Sequence, residues 1–108
     1  MCDVDGILRA LQHQRRRHAL DCVRTHRSIA LADLAELVLE RETGTDAAEH
    51  APERVSDVYF SLYHTHLPVL RDACLVRYEQ DADVVGVREE TAQSLRAARG
   101  ALETLVGR

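Results

Sequence analysis

The segment from Pro52 to Leu70, PERVSDVYFSLYHTHLPVL, constrains the fold more than any other part of the chain. Val55, Val58, Tyr59, Leu62, Tyr63, His66, Leu67 and Leu70 recur at steps of three and four, so a helix gathers them on one face. A strand would divide the same residues between its two faces. Proline suits the first position of a helix, where its missing N–H would be unbonded anyway, and Glu53 suits the positive end. Such a helix must bury its apolar row. The opposite row, Asp57, Phe60, Ser61, His64 and Thr65, then faces outward. Pro68 removes the hydrogen bond to the carbonyl of His64, which predicts a bend before the last turn.

The two histidines of YHTH separate on that helix, because residues two apart point about 200° away from each other. One metal ion cannot be held by both. His66 falls in the apolar row and is expected in the core, its ring nitrogens bonded to backbone or side chains. His64 falls in the outer row. A better chelating set is His18, Cys22 and His26, four apart on one helical face. A structural zinc needs about four ligands, and the rest, Cys74 for instance, would come from elsewhere. Cys22 is equally suited to be a small core residue. No metal and no cofactor is expected.

Catalysis is not expected either. There is no glycine-rich phosphate loop and no nucleophile elbow, and two of the five glycines stand in the last nine residues.

Around the long helix the chain reads as a series of short elements. Asp3 or Asp5 caps a helix carrying Ile7, Leu8 and Leu11. QRRRHALDCVRTH forms a second, with Arg15–Arg17 near its start and ion pairs such as Arg17 with Asp21 on its surface. SIAL is briefly extended. LADLAELVLERE gives a third helix with Leu34, Leu37 and Val38 inward, and TGTDAAEHA is a loop. LVRYEQ and DVVGVR form a hairpin turning around Asp81 and Ala82. From Glu89 to Val106 the chain is helical again. Thr91, Leu95, Ala98, Leu102 and Leu105 make a seam that wants a partner helix.

Composition bounds the setting. A chain of 108 residues with 45% apolar content makes one soluble domain. No run approaches the roughly 18 apolar residues of a membrane span, and the N-terminus lacks a secretory pattern. Cys2, Cys22 and Cys74, odd in number and without a CxxC pair, suit reduced thiols. A cytoplasmic setting follows. All 14 basic residues are arginine against 18 acids, a net charge of −4 that suggests a GC-rich genome and a salt-loving host. The acid excess opposes broad electrostatic binding of nucleic acid but leaves room for a local basic patch.

The phrase HLPVLRDACLV followed by RYEQDADVVGV resembles the end of the recognition helix and the wing of winged helix-turn-helix regulators of the ArsR and MarR type. His66, Leu67, Leu70, Leu75 and Val76 carry the match; upstream, RRRHALDCV resembles the first helix and IALADLAELVLERE the helix before recognition. Together with SLYHTHLP the set is most similar to small haloarchaeal winged-helix proteins of unassigned function, over residues 5–88.

Two departures stand out. Cys74 replaces the usual glycine after the recognition helix, and Ala30 occupies a capping position.

The resemblance implies a mainly α fold with a small β-hairpin, a winged helix-turn-helix at 1–88 and a dimerisation helix at 89–108. It implies a DNA-binding transcriptional regulator, with double-stranded DNA and a second copy of the chain as partners and no membrane. Asp57, Phe60, Ser61, His64 and Thr65 would face the major groove, and Arg54, Arg77 and Arg88 the phosphates. Asp57 and the wing-tip Glu79, Asp81 and Asp83 would oppose phosphates. Two other readings stand beside this one: a winged-helix module that binds protein, and a thiol- or metal-responsive sensor.

Overall fold

The computed structural model describes residues 3–106; Cys2, and with it the reduced-thiol expectation for that residue, lies outside them. Asp3 caps α1 (Val4–Ala10) by accepting from the Gly6 amide at 2.5 Å. The last carbonyls of a helix have no partner within it. Here the arginine run of α2 (Gln14–His26) supplies them: Arg16 Nε donates to the Ala10 carbonyl and Arg17 Nη1 to that of Leu11, each at 2.6 Å. The expected Arg17–Asp21 pair is therefore absent, and Asp21 receives Arg41 at 3.0 Å instead. Arg15 reaches across to Glu42 at 2.6 Å.

After β1 (Ser28–Ala30), α3 (Leu31–Thr43) begins without a side-chain cap, as Ala30 foretells. The Leu31 amide is met instead by the Asp83 carbonyl at 2.8 Å. α3 ends on Gly44 at φ 76°, a left-handed conformation that suits glycine. A 3-10 turn, Ala47–Glu49, interrupts the loop that follows.

α4 (Pro52–Ser61), a π turn (Leu62–His66) and α5 (Leu67–Asp72) succeed one another without a break. The π turn is the form taken by the bend expected at Pro68. Leu67 N–H donates to the Leu62 carbonyl, five residues back, and the widened turn accommodates the amide that Pro68 cannot supply. Val58, Leu62, His66, Leu67 and Leu70 are buried, as the periodicity requires.

Cys74 stands at φ 61° after α5, the strained position that the missing glycine predicts. It is disulfide-bonded, which corrects the reduced-thiol reading for this residue. Composition and spacing do not show which thiols meet in space.

β2 (Val76–Glu79) and β3 (Val84–Val87) form the expected hairpin. β1 adds antiparallel to β3, with Ser28 opposite Gly86 and Ala30 opposite Val84, giving a three-stranded sheet of order β1-β3-β2. Helices with a small antiparallel sheet and a final helix, α6 (Thr91–Val106), make the mainly α, winged-helix type of architecture that the sequence implies. Side chains from every layer, including Ile7, Val23, Leu34, Leu62, Leu70 and Val85, share one core.

α6 packs on α1, and this changes the reading of its seam. Thr91 and Ala98 are buried inside the chain and Leu95 is half-buried, so they are not free for a partner helix. Leu102 and Leu105 remain exposed, at 46% and 76%. The spacing of the seam carries no sign of α1, which packs against α6.

Candidate nucleic-acid interface

The outer row of the long helix is where the sequence places it. Arg54, Asp57, Phe60, His64 and Thr65 are exposed, Phe60 at 54%. Phe60 and His64 stack with ring centroids 6.0 Å apart and planes 15° from parallel. Tyr63 meets His64 edge-on at 4.9 Å, so Phe60, Tyr63 and His64 form one cluster of rings on this side of the helix. Ser61 departs from the expectation. It is half-buried, and its hydroxyl oxygen accepts from Arg15 Nη1 at 3.0 Å. The same guanidinium grips Glu42, which holds the Glu42 carboxyl below its ordinary range.

The wing is braced against this helix by Asp83. Its carboxylate accepts from Tyr59 OH at 2.5 Å and from Tyr78 OH. Its carbonyl caps α3, and its backbone sits at φ 54°. Hydrogen bonding to Asp83 raises the Tyr59 phenol; burial, reinforced by the same bond, raises that of Tyr78. Tyr63 packs edge-on against Tyr78 at 6.0 Å and completes the joint.

This brace escapes a reading by periodicity, because Asp83 looks like an ordinary turn residue. A signal did exist: the chain has three tyrosines, and all three meet here. The brace also corrects the wing-tip charge. Asp83 is turned to two hydroxyls and Glu79 is paired with Arg77, while Asp81 is exposed.

The arginines expected to face phosphates do not stand together. Arg77 is paired with Glu79, and its guanidinium lies over Gly86, so close that a β-carbon there would approach Arg77 Cζ to 2.8 Å. Glycine is what lets Arg77 lie flat across β3. Arg88 is bound to Glu90 at 2.5 Å, at the far end of β3 from the wing tip.

Behind the helix, His66 is 4% exposed, its ring 4.5 Å from that of His13. Its core position is as expected, but its bonding is not: Nδ1 has no hydrogen-bond partner among the described residues. Burial, aided by His13, Arg16 and Arg15, lowers its pKa to about 4, so the ring is neutral near pH 7.

His18, Cys22 and His26 are not assembled as a chelate. His26 Nδ1 bonds to the Cys22 carbonyl at 2.9 Å, and the Cys22 thiol is buried and pushed up by desolvation. Among the described residues no group of three His, Cys, Asp or Glu is placed to hold a metal ion. No helix among them is long and apolar enough to cross a membrane.

No curated protein and no solved structure matches the chain. Residues 8–86, from α1 through the sheet, match the model of the family described as a domain of unknown function, DUF7344, and the protein belongs to that family.

Proposed function

We propose that the protein is a winged-helix transcriptional regulator that binds double-stranded DNA as a homodimer. The observation that carries this reading is the exposed Phe60–His64 stack on a helix whose back is fixed in the core and whose flank is braced by the wing. In helix-turn-helix proteins a helix held in this way enters the major groove. Phe60 has the surface to meet a thymine methyl, and His64 and Thr65 can bond base edges or phosphates. Arg54 stands at the start of the same helix. The likeness to ArsR- and MarR-type regulators points the same way.

Charge favours a second reading. A net charge of −4, with Asp57 and Asp81 on the reading side, suits a basic protein partner. Polarisation titrations of genomic fragments at matched high KCl separate the two. Saturable, sequence-dependent binding is the expected result, and no binding at any salt removes the regulator. Concentrated salt suppresses the counterion-release contribution, so binding there must come from base contacts and fit.

The dimer would form through Leu102, Leu105 and Val106, the apolar residues that α1 leaves exposed. Leu102→Glu with Leu105→Glu is expected to give monomer in light scattering, with the melting temperature little changed. A dimer that persists places the interface elsewhere.

A further inference from the structure

Apart from the Arg15–Arg17 run, whose side chains are bonded to Glu42 and to helix-end carbonyls, arginines also gather at the far end of α2. Where α2 ends, β3 ends and α6 begins, a cleft of about 550 Å³ is lined by Arg24, Arg27 and Arg88. A neighbouring groove shares Arg24 and adds Arg96 and Arg99. In a chain with fewer basic than acidic residues this is a marked local excess. Arg24, Arg27 and Arg96 make no side-chain hydrogen bond or ion pair among the described residues. The acids nearby are largely engaged: Asp21, on the cleft wall, pairs with Arg41, and Glu90 pairs with Arg88. Glu89 also lines the cleft and sets a limit on its positive charge.

Arg24 and Arg27 are exposed, so both guanidinium groups are open to a ligand in the cleft. Arg27 has φ 68° and ψ −39°, a conformation rare for a residue with a side chain. It is held there from both sides, its amide donating to Val23 at 2.7 Å and its carbonyl accepting from Val87 at 3.0 Å. The opposite wall carries Thr91 and Ala92, the first turn of the sixteen-residue α6, whose positive end favours an anion. Arg24 in the last turn of α2 also complements that helix's negative end. That role alone does not require it to share a cleft with Arg27 and Arg88.

We propose that this cleft binds a small phosphate-bearing anion, with Arg24 and Arg27 as its principal donors and the α6 N-terminus beneath it. Guanidinium forks match phosphate oxygens in pairs, and the volume lies in the range of small-molecule sites. The site needs no DNA and stands apart from the regulator reading.

Calorimetric titration of the full chain with pyrophosphate tests it. Arg27→Gly relieves the backbone while removing the side chain, Arg24→Gln removes a charge, and Arg71→Gln on α5, exposed and outside both grooves, is the control. Saturable one-to-one binding is expected, weakened about tenfold or more in the first two variants and unchanged in the third. Absence of saturable binding overturns the proposal, as does equal weakening by Arg71→Gln. A random-sequence duplex distinguishes the phosphate source. If it binds through Arg24 and Arg27 while pyrophosphate does not, the surface contacts a nucleic-acid backbone and the small-anion site is refuted.

Discussion

His66 and His64 sit on opposite sides of one π turn, two residues apart, and the protein uses them in opposite ways. His66 lies under the turn, buried against His13 and kept neutral. His64 lies above it, exposed and stacked on Phe60. The inner side of the helix has little tolerance for charge or lost volume. The outer side carries groups whose contacts hold nothing else together. Stability rests on one face of the helix and the proposed recognition on the other, and that division predicts which changes will affect which property.

The largest effect concerns the inner side. A histidine held below its unfolded pKa favours the fold while neutral, so its contribution is complete above about pH 6.5. It is lost as pH falls from there towards about 4, in total about 3 kcal/mol. Glu42, held low by Arg15, adds a loss at still lower pH. Urea midpoints measured from pH 7 to 4 are expected to fall through this window and to flatten in His66→Leu. An unchanged slope in that variant would place the titration elsewhere.

Next in size is the brace between the two sides. Asp83→Asn tolerates φ 54° but removes the charge that two phenols share, and about 2 kcal/mol of stability should go with it. Both phenols are raised in the fold, so this stabilisation is complete below about pH 10 and is lost above it. In the variant, absorbance titration should show Tyr59 and Tyr78 ionising closer to pH 10; a titration curve like that of the parent protein would mean the bonds are not as described.

The smallest effect on stability belongs to the outer side. His64→Ala should leave the melting temperature within about 0.5 kcal/mol equivalent while weakening sequence-specific DNA binding. A large loss of stability would mean that the outer row is part of the core.

Much of this was legible in the chain. The winged-helix resemblance points to the strain at Cys74, and the apolar row of residues 55–70 and the helix start at Pro52 follow from neighbours a few residues away. So do the outward placements of Phe60, His64 and Thr65. What was not legible involved partners far off in sequence. Ser61 turns inward because Arg15, 46 residues earlier, takes its hydroxyl. Arg17 finds a helix-end carbonyl, a target that leaves no mark in a pattern of side chains. The first half of the α6 seam lies within the chain, and nothing in the tail announces α1.

The sequence by itself determined which segments are helical, which face of each is apolar, and where proline and glycine start or stop them, because backbone sterics and periodic burial act over a turn or two. Only the tertiary structure decided that Asp83 joins wing to helix and that α1 takes half of α6. It alone gathered Arg24 and Arg27 at the end of α2 and Arg88 just beyond β3 around one cleft. Each of these depends on the distance between groups that the chain brings together only once the core has closed.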